Sequence, residues 1–322
     1  MKSKIKDFTD SQLFRIYGGT SLALLLLIIL FSFASPFFLN TSNLLNILLQ
    51  VSIIAILALG MTFVLMIGEI DLSVASSLAL SGVVLGVMLS RGYNPFIAII
   101  ITIIAGALAG LFNGVVGAYF GIPTFIVTVA TMQLFRGIGF AITDAKPISI
   151  TNDFILKIGN GKMFGIIPIP VLILIILAII AHIVLSKTKY GRQLKMIGGN
   201  KTAAKYVGVK INKLQISVFV IAAVAAAISG ILMASRLYSA QPNTAQAYEL
   251  DAIASAVLGG TSLTGGYGTI LGTFIGALII GVINNGMNLI GLEYFYQQIV
   301  KGLIIIIAVY IDVRNKKKAL EK

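Results

Sequence analysis

Four carboxylates and a set of amides stand where the surrounding chain is apolar. Glu69 and Asp71 separate two hydrophobic runs, and Glu249 and Asp251 open another. Asn113, Asn284, Asn285 and Asn288 lie on segments otherwise made of small and apolar residues. A carboxylate near hydrocarbon is costly enough to be rare, so each is a functional candidate by default. The chemistry open to them is proton uptake, cation pairing, or acceptance of backbone N–H groups at a helix start. Asp71 and Asp251 directly precede helical runs, where an acid caps the backbone and complements the positive end of the helix. Capping and function need not compete, because transporters line their pathways with broken, capped helices. The expectation is a hinge or pathway role for Glu69, Asp71, Asn113, Glu249, Asp251, Asn284 and Asn285. The amides have two uses, bonding across helices or facing a wet lumen.

Bond chemistry finds little to work with. Cysteine is absent and His182 is the one histidine, which removes cysteine nucleophiles, thiolate metal sites, multi-histidine sites and the usual triads. His182 lies in an apolar run and reads as a packed side chain with one nitrogen satisfied. Gly161-Lys162 is the nearest approach to a phosphate loop, but Leu156 stands where that pattern needs Gly and Met163 where it needs Ser or Thr. ATP is therefore not bound in this way, and the expectation is a protein that is not an enzyme and carries no cofactor. Arg136, inside TFIVTVATMQLFRGIGFAIT, needs a partner, a carbonyl cluster or a route to the interface, and its position favours snorkelling.

The elements that position these groups are membrane helices. Hydrophobic residues make up 58% and charged residues 11% of 322 positions, against about half and a quarter in a soluble domain. SLALLLLIIL, VLILIILAIIAHIVL and GLIIIIAVYI are uncharged and extend toward the roughly 20 residues that cross a bilayer. The formal charge of +13 falls between and beside the apolar runs, which points to membrane orientation and away from nucleic acid. No convincing cleavage site follows Phe33-Ala34-Ser35-Pro36, so the first apolar run reads as a retained helix.

Candidate spans run about Gly18 to Ser35, Asn43 to Ile67, Leu72 to Ser90, Pro95 to Phe120, Pro123 to Thr143, Pro168 to Ser186, Leu214 to Arg236, Asp251 to Leu263, Gly268 to Ile290 and Tyr294 to Ile311. Eight Lys and Arg residues between Lys187 and Lys213 share that stretch with no acid, which places it in the cytoplasm. The lysine-bearing N-terminus and the tail at Arg314, Lys316, Lys317 and Lys318 belong on the same side, so an even number of crossings is required. About ten crossings satisfy all three anchors, and the stretch from Asp144 to Ile167 becomes the largest external loop. The Asp251 span is short for a crossing, and the glycines of GGTSLTGGYG would break it into a half-helix.

The chain reads as one transmembrane domain over 1–322 with a weak internal repeat. GEIDLSVASS from Gly68 resembles YELDAIASAV from Tyr248, and GALAGLFNG from Gly106 resembles GALIIGVINNG from Gly276. Residues 43–143 and 214–311 would then be two inverted halves. Gly106, Gly110, Gly114 and Gly117, and later Gly272, Gly276 and Gly281, recur at three to five residues and predict close helix approach. Within the basic stretch 187–213, Gly198-Gly199 break the chain, Asn200 suits an N-cap, Lys201 to Val207 make two turns, and Gly208 suits the stop. Two turns are marginal alone in water, and Ala203-Ala204 leave a shallow face, so a cytoplasmic partner is implied.

GGNKTAAKYVGVKINKLQ from Gly198 resembles the coupling loop of permeases in ATP-binding cassette monosaccharide importers. ALGMTFVLMIGEIDLSVAS, SRLYSAQPNTAQAYELDAIASAVLGGTSLTGG and GALIIGVINNGMNLIG are similar to the same family, most of all to its ribose-carrying members. The resemblance covers Pro36 to Asp312. It implies about ten helices per chain in the cytoplasmic membrane, a second copy of the chain, a separate ATPase that binds ATP and Mg, and an external sugar-binding protein. It also implies that Asn200, Ala203, Ala204 and Gly208 sit in the helix that docks on the ATPase. The rival reading is a proton-coupled sugar transporter in which one of the membrane acids titrates.

Overall fold

The computed structural model describes residues 12–320, so Lys2, Lys4 and Lys6, which anchor the expected N-terminal orientation, lie outside the described residues. It is almost wholly helical. The apolar helices are α1 (Gln12–Ala34), α2 (Thr41–Met66), α3 (Val74–Ser90), α4 (Pro95–Tyr119) and α5 (Thr124–Thr143). A segment of short elements follows, with β1 (Ile148–Ser149), α6 (Asp153–Asn160), β2 (Lys162–Met163) and β3 (Ile167–Pro168). Next come α7 (Ile169–Lys187), α8 (Lys189–Gly199), α9 (Lys201–Tyr206), α10 (Ile211–Arg236), β4 (Ser239–Ala240), α11 (Tyr248–Leu258), α12 (Ile270–Leu289) and α13 (Tyr294–Leu320).

Seven of these helices are long and apolar enough to cross a membrane, and Val74–Ser90 and Tyr294–Tyr310 are shorter apolar stretches. The chain is a multi-pass membrane protein. Of the seven, α2, α10 and α12 are the most deeply buried, while the long faces of α1, α4 and α7 are left to lipid. A soluble fold would not leave Leu26 of α1, Ile104 of α4 and Ile176 of α7 more than half exposed, but lipid makes that arrangement favourable.

The glycine stripes do what their spacing predicts. Gly106, Gly110 and Gly114 of α4 lie against α10, and a Cβ at Gly114 would sit 2.7 Å from the Ile216 Cα. On α12, a Cβ at Gly276 would land on the Ser255 carbonyl of α11, and one at Gly281 on the Val51 side chain of α2. Helix axes can come this close only where no side chain intervenes.

Three departures from the expected spans have physical causes. The eighth span begins at Tyr248 and ends at Leu258, so α11 has 11 residues and spans about 16 Å, half a bilayer core. Gly259 and Gly260, the latter with φ of +87°, end it, and an irregular loop leads to Thr269, whose hydroxyl caps α12 by accepting from the Gly272 amide at 3.1 Å. The external loop holds α6, capped by Asn152 accepting from the Ile155 amide, and β1 pairs antiparallel with β4 so that this loop and the linker after α10 are tied together. The basic stretch before Gly198 is helical too, as α8, because Leu194 and Ile197 bury an apolar stripe beneath its lysines. His182, expected to be packed, is exposed on the outer face of α7.

Candidate translocation pathway and coupling surface

The short helix α9 is built as its residues dictate. Asn200 accepts from the Ala203 amide at 2.9 Å, and Gly208 ends the turn with φ of +81°, a conformation that favours glycine. Ala203 is exposed and Ala204 is buried against its own chain, so only Ala203 of the alanine pair lies on the outward side. The outward groups are Tyr206, 87% exposed, and Val207, 66% exposed. An aromatic and a branched apolar side chain are thus held out together at the tip of a basic loop. Reasoning from sequence missed both, because periodicity over two turns carries no signal of direction.

Helix α9 is attached to the core through glycine. A Cβ at Gly198 would fall on the Met66 carbonyl and the Gly266 amide, and the Gly266 amide itself donates to the Met66 carbonyl at 3.0 Å. Gly68, with φ of +76°, packs against the Thr264 carbonyl. The break after α2, the break after α11 and the approach to α9 thus meet backbone to backbone. Glu69 joins the same junction by accepting from the Thr124 hydroxyl and pairing with Lys201 of α9 at 3.5 Å.

Deeper in, Asp71 accepts at one oxygen from the Ser73 amide at 2.8 Å and the Ser73 hydroxyl at 2.6 Å. Asn113 reaches across from α4 and donates to the Ser73 hydroxyl oxygen at 2.8 Å. Asp71 and Asn113 are each 1% exposed, and among the described residues Asp71 Oδ2 and Asn113 Oδ1 have no hydrogen-bond partner. Asp71 thus holds Ser73, the N-cap residue of α3, from two positions upstream and is not itself the cap that its place in the sequence suggested.

Asp251 does something else. It lies inside the first turn of α11, where Ala247 is the N-cap residue, and its Oδ2 takes an ion pair from Lys301 of α13 at 3.0 Å and a long bond from Asn284 of α12 at 3.4 Å. The capping expectation for Asp251 is corrected: it clamps three helices. Glu249, half-buried one residue into the helix, lies within electrostatic reach of Arg136. Arg136 does not snorkel, since its Nη1 donates to the Pro242 and Thr244 carbonyls at 2.8 and 2.7 Å, where the linker before α11 folds over it. Asn285 and Asn43 exchange amide bonds at 2.8 and 3.0 Å between α12 and α2, and Asn288 accepts from Gln297 at 2.9 Å.

The candidate residues therefore fall into two groups. Glu69, Asp71 and Asn113 gather around the first broken helix next to α9, while Glu249, Asp251, Asn284 and Asn285 gather around the start of the half-helix and α12. Among the described residues, no three His, Asp or Glu side chains converge as a metal site.

The family model described as branched-chain amino acid transport system / permease component matches residues 43–309. The ribose import permease protein of Bacillus subtilis is 45% identical over 303 residues, 94% of this chain and 93% of that protein. The ribose import permease protein of Haemophilus influenzae is 42% identical over 97% of both chains. The D-allose transport system permease protein of Escherichia coli is 37% identical over 96% of this chain and 95% of that one. No solved structure matches. With α3 to α12, the half-helix α11 among them, inside the matched region, the chain belongs to the transport-system permease family that this model describes.

Proposed function

We propose that this chain is the membrane-spanning permease subunit of an ATP-binding cassette importer for a monosaccharide, D-ribose first among them. The observation that carries the reading is the likeness to ribose import permeases along nearly the whole chain. The chain performs no bond chemistry. ATP and Mg belong to a separate cytoplasmic ATPase, and the sugar is delivered by an external binding protein to a pathway formed with a second copy of this chain.

In this reading α1 to α5, α7 and α10 to α13 make ten crossings, with α11 the short one, and 43–143 and 214–311 are inverted halves. The basic stretch 187–213 and both termini face the cytoplasm. Transport is alternating access: closure of the ATPase dimer pushes Tyr206 and Val207 at the tip of α9, and two discrete packings of the bundle open the lumen to one side or the other. The junction of Gly198, Gly68 and Gly265 supports such a transfer, since a push on α9 meets backbone rather than flexible side chains. Asn200, Ala203, Ala204 and Gly208 shape that helix, and the two polar groups act as hinges. A sugar needs scattered weak hydrogen bonds along its path, because a deep site would slow release.

The reading is tested with proteoliposomes holding this chain, its ATPase and the ribose-binding protein, with ATP enclosed and competing pentoses and hexoses outside. Uptake of labelled ribose should require all three proteins and ATP, and only ribose should compete. One observation favours a second reading, a proton-coupled transporter: Asp71 is a buried acid with an oxygen that makes no hydrogen bond among the described residues. ATP-independent uptake driven by a proton gradient would decide for it.

A further inference from the structure

Between α2, α7 and α10 lies a partly open cleft of about 250 Å³. Its walls are apolar, with Phe63 of α2, Leu177 and Val184 of α7, and Val220, Val224 and Ile228 of α10 among them. Empty space against such walls forfeits dispersion contacts, so in a bilayer an acyl chain fills it. From Val220 to Ile228 the cleft runs along nine residues of α10, about 12 Å and enough to seat much of one lipid tail.

The mouth of the cleft is what selects the lipid. On α7 the lining residues Leu177, Ala181 and Val184 recur at helical spacing, and the same stripe continues to the exposed Lys187. On α10 the stripe Ile228, Val224 and Val220 continues through Ser217 to the exposed Lys213. Between the two helices the Tyr190 and Ser217 hydroxyls bond at 2.7 Å, and the Tyr190 ring lies 6.5 Å from that of Phe63. Burial pushes the Tyr190 phenol above its ordinary pKa although the Ser217 bond works the other way, so it stays a neutral hydroxyl. By helical register two exposed lysines follow the lining stripes beyond the Tyr190–Ser217 hydroxyl pair, and the stretch 187–213 holds no acid to oppose an anion.

We propose that this cleft binds one anionic phospholipid, with an acyl chain between α7 and α10 and the phosphate between Lys187 and Lys213. The site does not depend on which sugar the protein carries. A basic pair at the end of an apolar cleft matches a phosphodiester with a tail, and the surface of the cytoplasmic leaflet supplies such lipids.

The test uses the full chain purified in detergent, given phosphatidylglycerol or phosphatidylcholine with the same acyl chains and read by native mass spectrometry. One phosphatidylglycerol should be retained preferentially, and the K187Q/K213Q variant should lower its retention about thirtyfold, at about fivefold per lysine near a phosphate. Val224→Phe should lower retention of both lipids with an unchanged melting midpoint. Because the chain has no cysteine, Val224→Cys carries a single fluorophore that brominated-tail phosphatidylglycerol should quench more than its phosphatidylcholine counterpart. Equal retention and equal quenching by the two lipids would overturn the proposal. So would a fluorophore shielded from both, which would mean that a second copy of the chain covers the cleft.

Discussion

Asp251 shows how a residue type can be read correctly and its partner missed. A carboxylate one turn into an apolar segment announces a constraint, and local rules favour capping. The partners, Asn284 and Lys301, lie 33 and 50 residues away and become neighbours only when α11, α12 and α13 pack. A buried ion pair contributes little over an apolar pair, but removing one member strands the other charge. Lys301→Met should therefore cost about 3 kcal/mol, read as a lower melting midpoint in detergent. Adding Asp251→Asn should restore most of the loss, and a double variant as unstable as the single would show that the clamp is not electrostatic. The glycines offer a second comparison at this scale. Gly276→Ala would drive a methyl into the Ser255 carbonyl, whereas a Cβ at Gly302 would meet nothing within 4 Å among the described residues. Gly276→Ala should lower the midpoint by several degrees, as overpacking by about 1 to 3 kcal/mol does, and Gly302→Ala should leave it unchanged.

At the scale of elements, α9 was legible because its instructions are local: Asn200 caps, Gly208 adopts positive φ, and two turns fit between. Helices α6 and α8 were not, since a basic or broken stretch between spans reads as loop until Ile155, Leu194 and Ile197 are seen to be buried. The half-helix α11 was legible in outline from its glycines, but its start was placed three residues late because Asp251 looked like a cap. Asn200→Ala should weaken α9 by about 1 kcal/mol. In the assembled importer this should lower ribose-stimulated ATP hydrolysis while leaving the basal rate of the ATPase unchanged. Gly208→Val forces a branched residue into positive φ and should lower that stimulation further. Variants that lose basal and stimulated hydrolysis together would point to lost assembly rather than lost coupling.

At the scale of the whole molecule, composition and the exclusion of charge sufficed for a multi-pass helical membrane protein. The depth of each helix was not legible, because an apolar string looks the same whether it faces lipid, as α7 does, or the bundle centre, as α2 does. The even crossing number rests on charge alone and has a direct test, since a chain without cysteine reports faithfully on any single cysteine introduced. Tyr206→Cys places a thiol at the tip of α9, Phe164→Cys places one in the loop before α7 where the native side chain is 83% exposed, and Arg314→Cys places one in the tail. A membrane-impermeant maleimide added to right-side-out vesicles should label only position 164, and in inverted vesicles only 206 and 314. Labelling of 164 and 206 from the same side would break the arrangement at α7, and labelling of 314 with 164 would mean that the half-helix α11 turns back without crossing, leaving nine.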